Sequence, residues 1–319
     1  MCMNKKSLLL MLASSLVSTL LYAQTASDSI RIIVPFAAGG PADQIARIIS
    51  TPLAIALGKT TVVDNRGGAG GVIGVSLASK APTDGNTLLL TTSSFVITAG
   101  ITPNLSYNPR KDLEPVYLLG EVQTMLAVRN NLGVNTLAEL ITKAKGSNKL
   151  NYGSTGVGGT MHIGAELFGK AANVQVVHIP YKGAAPAITD LIAGTVDFVN
   201  ADVPILRNYV KDNRIKALVI YDTKRSPLLP DVPTAVEAGL PNMLMSNWYG
   251  VLVPAGVSIE NRKRIEEALA KVVKQPDVAA KLTDAGFMNP KDANGFKARL
   301  EADFDRWIPW LKEANIKAE

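Results

Sequence analysis

Two glycine-rich stretches carry the residue types most able to do chemistry. The first is Pro35-Phe36-Ala37-Ala38-Gly39-Gly40-Pro41-Ala42-Asp43. A proline stands there at what reads as the first helical position, where its missing N–H costs nothing. The glycine pair lets backbone approach a ligand closely, and the unpaired N–H groups of a helix start attract anions. Asp43 falls in the first helical turn, where it either caps the helix or bonds a ligand amine or hydroxyl. The second stretch is Gly153-Ser154-Thr155-Gly156-Val157-Gly158-Gly159-Thr160-Met161-His162. Its glycines and hydroxyls offer donors without a formal positive charge, which suits a carboxylate or a phosphate.

Two further places follow the same logic. In Pro180-Tyr181-Lys182-Gly183, Tyr181 can wall a pocket and donate its hydroxyl, while Lys182 is more simply read as solvated. In Asn200-Ala201-Asp202-Val203-Pro204, Asp202 either bonds a ligand amine or caps the helix that follows.

Several enzyme signatures come near and fail. Residues 67–74 resemble a dinucleotide-binding turn, but the third glycine of G-x-G-x-x-G falls on Ile73. Gly58-Lys59-Thr60 looks like the end of a phosphate loop, yet Leu53 stands where the first glycine is required. Ser154 lacks the preceding glycine of a nucleophile elbow, since Tyr152 holds that place. Ser154 with His162 is the one nearby nucleophile–base pair, and it keeps a serine-type exported hydrolase as an alternative. His162 and Glu166 share a helix face, but two ligands do not make a metal site. His178 lies in an apolar strand-like run and reads as a core histidine. No cofactor or metal is expected.

The elements that must position these residues alternate. Strands are expected at 30–35, 61–64 and 88–92, with helices at 41–57 and 72–81 between them. The rhythm restarts with a helix at 136–145, a strand at 150–152, a helix at 160–172, a strand at 175–179 and a helix at 186–193. Strands at 196–199 and 215–221 complete the second unit. This order argues for two α/β units with mostly parallel sheets, in which ligands collect at the carboxyl ends of strands. Two longer extended stretches, 116–128 and 243–253, sit at the boundaries and are expected to carry the chain between units. Helices at 258–274, 276–285 and 293–315 should pack back on the first unit, with Pro309 kinking or ending the last.

Composition narrows the function. Residues 1–23 have the layout of an export signal: Lys5 and Lys6, an apolar run at 8–21, and Leu21-Tyr22-Ala23 before Gln24 as the cleavage site. The apolar run is short for a permanent membrane helix. The single cysteine, Cys2, lies in that segment, so an exported mature chain has no disulfide and no thiolate site. The net charge of +6 includes Lys5 and Lys6, and the remainder is scattered rather than gathered into the basic stripe that nucleic acid requires.

Taken together, these segments resemble the periplasmic solute receptors of tripartite tricarboxylate transporters, the Bug-type binding proteins. The resemblance rests on 34–43, Asn65-Arg66-Gly67-Gly68-Ala69-Gly70-Gly71, Ala81-Pro82-Thr83-Asp84-Gly85, 153–162, Pro180-Tyr181-Lys182-Gly183, Asp231-Val232-Pro233-Thr234 and Trp248-Tyr249-Gly250, in that order. It implies a type II-like, Venus-flytrap clamp with two crossover strands. Lobe one would comprise 24–122 and 248–319, and lobe two 123–247. Such a clamp binds a small carboxylate solute, an organic acid or an amino acid, and delivers it to a membrane permease. It would act as a monomer in the periplasm without catalysis; a ligand sensor feeding a membrane kinase is a further alternative. The ligand contacts implied are Phe36, Ala38, Gly39, Gly40, Asp43 and Ser93 from lobe one. Lobe two would supply Ser154, Thr155, Thr160, His162, Tyr181 and Asp202. In many members the acid stands at the position of Ala201, whereas here it is Asp202.

Overall fold

The computed structural model describes residues 29–146 and 149–318; the expected export signal lies outside them. The first unit opens with β1 (Ser29–Val34), α1 (Pro41–Leu57), β2 (Thr60–Asn65), α2 (Val72–Ser79), β3 (Thr87–Thr92) and α3 (Ser94–Ile101). β1 lies between β2 and β3, parallel to both. All six residues of β3 are buried, as befits a strand covered on both faces, whereas β2 at the sheet edge alternates between exposed and half-buried positions at its start.

The 17-residue β4 (Leu113–Arg129) carries the chain out of this sheet. Up to Gln123 it pairs antiparallel with β9 (Ser246–Pro254), which also pairs with β3. From Thr124 onward it pairs instead with β7 (Phe198–Asp202) and β8 (Ile215–Ile220). Beyond β4 come α4 (Leu137–Ala144), β5 (Leu150–Ser154), α5 (Thr160–Ala172), β6 (Val176–Pro180) and α6 (Ala184–Ala193), then β7, α7 (Val203–Lys211) and β8. β5 lies parallel to both β6 and β7. The return crossing falls between Met245, whose N–H donates to the Tyr221 carbonyl, and Ser246, which pairs with Gln123.

Three helices close the chain: α8 (Ile259–Val272), α9 (Pro276–Asp284) and α10 (Ala293–Glu313). α8 and α9 pack on α1, and α10 packs on α3 and β4.

α3 had no predicted counterpart: six of its eight residues are buried, so it lacks the polar face that gives a surface helix its period. Pro309 was expected to kink or end the last helix; it does not end it, and the helix runs on to Glu313. Pro309 and Asp305 are both exposed, so the carbonyl that loses its intrahelical partner can turn to water.

Candidate functional site

Six strand-to-helix turns project from the carboxyl ends of parallel strands: after β1, β2 and β3 in one sheet, and after β5, β6 and β7 in the other. The turn after β1 leaves Ala37, Ala38 and Gly39 exposed and Phe36 half-buried, with Gly40 at the N-cap of α1. Gly39 has a φ of 81°, a left-handed conformation natural to glycine. Its N–H donates to Asp43 Oδ2 at 2.8 Å, and Arg47 Nε donates to the same oxygen at 2.9 Å. The bond from Arg47 and that from the Gly39 N–H together hold the buried Asp43 carboxyl below its usual range, against the opposing effect of burial. Asp43 therefore fastens the turn from within. Asn65 Nδ2 donates to the Phe36 carbonyl at 3.2 Å, so the start of the 65–71 motif buttresses the same turn.

The turn after β5 is fastened differently. Ser154 is completely buried; its Oγ lies 2.5 Å from His178 Nε2 and accepts the Gly156 N–H at 3.0 Å. His162 Nδ1 accepts the Gly158 N–H at 3.2 Å, which places the proton of a neutral ring on Nε2. The two histidine rings stack with centroids 4.3 Å apart, and Tyr152 stacks on His178 at 5.0 Å. Burial, and then the neighbouring His178, lower the His162 pKa to about 4, so His162 is neutral at pH 7. Gly158, where this turn meets Ile101 of α3, has a φ of 79°, a left-handed conformation natural to glycine. Thr155 is exposed and Thr160 half-buried.

The Tyr181 hydroxyl donates to Asp190 at 2.7 Å, and burial, then Asp190, push its pKa to about 12. Asp202 occupies the N-cap position of α7 yet makes no side-chain cap bond. Its Oδ2 instead accepts from Asn247 Nδ2 at 3.0 Å and from the Tyr249 hydroxyl at 3.2 Å, both on β9. Ser93, which follows β3, donates to Asn247 Oδ1 at 2.7 Å. A buried chain Ser93–Asn247–Asp202–Tyr249 thus ties both sheets to the crossing strand. Desolvation raises the Asp202 pKa to about 6, only partly offset by its bonds to Asn247 and Tyr249.

A cavity of about 430 Å³ opens between the units, with Pro41 and Gln44 of α1 on one wall and Asp202, Ile205 and Asn208 on another. Tyr249 and Phe287 also line it. Asn247 and the Ser154–His178 contact are the site features that the sequence reading missed. Asn247 had a signal: it is a polar residue sharing one strand face with Tyr249, while Ser246 and Trp248 face the other way. On that other face Trp248 Nε1 donates to Asp303 at 2.7 Å, and Arg299 of α10 pairs with both Asp303 and Glu121. Among the described residues no cluster of three or more His, Cys, Asp or Glu side chains could hold a metal ion.

Two α/β lobes joined by crossing strands, with helix-opening turns around the junction, make this the fold of a periplasmic solute-binding protein. Residues 45–316 match the tripartite tricarboxylate transporter family receptor, and the chain belongs to that family. Protein BugT of Bordetella pertussis is 32% identical over 295 residues, covering 90% of this chain and 90% of BugT. MatC of Rhodopseudomonas palustris, solved with bound malate, superposes with a TM-score of 0.81 at 30% identity, covering 88% of this chain and 98% of its own. R. palustris Rpa4515, solved with adipate, gives 0.82 at 30% identity, covering 91% and 98%.

Proposed function

We propose that this receptor captures a small carboxylate solute between its lobes in the periplasm and delivers it to a membrane permease without transforming it. The lobes would be 24–122 with 248–319, and 123–247, after removal of residues 1–23. The carrying observation is the pair of amide-rich turns, 36–40 and 154–160, at the carboxyl ends of strands in the two lobes. Backbone N–H groups at helix starts complement a carboxylate. The structures of MatC with malate and of Rpa4515 with adipate support the ligand class.

The geometry of Ser154 disfavours a hydrolase. Its hydroxyl touches His178, as a nucleophile would touch its base, but it is wholly shielded from solvent and holds the turn. A thermal-shift screen against small mono- and dicarboxylates, hydroxy acids and amino acids tests the receptor reading. A ligand that binds only the folded state raises the melting temperature. At least one acid should raise it by several degrees; no shift with any member of the panel would count against the reading.

A further inference from the structure

We propose that the lobes turn about a core they share on one side of the crossing strands, and that Arg207 and Asp284 latch the opposite side. This rests on the two-lobed receptor reading above and adds where the clamp gives way.

β9 separates the two sides. Trp248 turns toward α10, where its Nε1 meets Asp303. Tyr249 turns toward the cavity of about 430 Å³ and packs on Phe287 with ring centroids 4.9 Å apart. On the Trp248 side the apolar interior runs unbroken through both lobes. Phe95, Trp307 and Leu311 of lobe one belong to one buried cluster with Phe168, Met243 and Met245 of lobe two. On the Tyr249 side the interior is divided. One cluster, around α1, α8 and α9, stays within lobe one, and another, around α6 and α7, stays within lobe two. Where the lobes do meet there, with Pro204 and Leu228 against Gly286, a further void of about 120 Å³ remains.

A shared interior resists parting, because separation exposes apolar surface and forfeits packing contacts along its whole area. Two separate interiors offer no such resistance. The lobes therefore stay together on the Trp248 side and part on the Tyr249 side. An ion pair joins them on each side: Lys170 with Glu313 at 2.9 Å, and Arg207 with Asp284 at 2.7 Å. The first adds little to the motion, since the shared core already holds α5 to α10. The second spans α7 of lobe two and the end of α9 of lobe one, and both of its residues line the cavity. Arg207 engages with both arms: Nη2 donates to Asp284 Oδ1, and Nη1 donates to the Asp284 carbonyl at 3.2 Å.

Spin-label distances on the solute-free exported chain test this. One label pair crosses the latch, Lys211→Cys with Ala280→Cys, and one crosses the shared core, Asn242→Cys with Lys312→Cys. Cys2 lies in the expected export signal, so no native thiol competes once that segment is removed. Asp284→Ala and Arg207→Ala should each lengthen and broaden the first distance and leave the second unchanged. The double variant should do no more than either alone, because both delete one interaction. The Asp284 side chain is 74% exposed, so Asp284→Ala decides the matter should Arg207→Ala fail to fold. An unchanged distance across the latch in Asp284→Ala, or a distance across the shared core that moves as much, would overturn the proposal. No solute enters these measurements, so that outcome leaves the receptor reading to its thermal-shift screen. A panel without a binder would count against the receptor reading and leave the distances standing.

Discussion

The two turns proposed to bind ligand are built from similar glycine-rich sequence and held by opposite means. In lobe one a buried anion, Asp43, holds the Gly39 N–H and is itself held by Arg47. In lobe two the turn is held by the Ser154 hydroxyl, which meets His178, and by the uncharged ring of His162. One turn depends on a charge staying present, the other on a charge staying absent. The difference teaches that an amide-rich turn can be fixed from beneath either by an ion pair or by uncharged hydrogen-bonding groups. It also gives the two lobes different sensitivities to pH.

The largest effect should appear in lobe two. The folded pKa of His162 is lowered to about 4 from an ordinary 6.5, so between those values the unfolded chain binds more protons than the folded one. Stability from this residue is therefore full above about pH 6.5 and is lost as pH falls toward 4, by at most about 3 kcal/mol. Asp202 works in the opposite direction: its raised pKa favours the folded state at low pH and costs stability as pH rises through about 6. Wild type therefore blends the two, and His162→Gln separates them. Urea unfolding at pH 7 and pH 4.5 should show wild type losing stability relative to that variant as pH falls. Parallel pH profiles would remove the asymmetry between the turns.

Asp43→Ala comes next. It deletes an acceptor of two charge-assisted bonds and leaves the Gly39 N–H and Arg47 without it, so a loss of about 2 kcal/mol is expected in denaturant unfolding. Because the Asp43 pKa is lowered, its contribution is present above the unfolded carboxylate pKa and is lost only as pH falls through the depressed folded value. A loss below about 0.5 kcal/mol, within the range of ordinary surface changes, would show that the turn stands without its anion.

Ser154→Ala should cost least, about 1 kcal/mol for a neutral hydrogen bond, and should also weaken binding of any acid found in the thermal screen by several-fold. Unchanged affinity would separate the lobe-two turn from the site. An increase in turnover of any ester would be incompatible with the structural role given to Ser154.

The fold was legible where a physical constraint leaves a mark on sequence. α1 begins at Pro41 and ends before Gly58, α5 spans 160–172, and both sets of bounds follow from capping residues and turn glycines. α3 escaped because burial on all sides erases periodicity. At the site, the turns were visible as composition, but the partners of Ser154 and Asp202 were not. His178 lies 24 residues from Ser154 and Asn247 lies 45 from Asp202, joined only by strand pairing. A contact made through sheet register has no local signal. For the same reason the sequence left Asp202 as either a helix cap or a ligand acceptor, and its neighbours remove the cap.

The central claim is that the turns at 36–40 and 154–160 close on one solute from opposite sides. A crystal structure of the protein with the acid giving the largest thermal shift tests this most directly. The account predicts a carboxylate within hydrogen-bond distance, direct or through one water, of both turns. Density for the acid against only one lobe, or outside the gap between them, would contradict it.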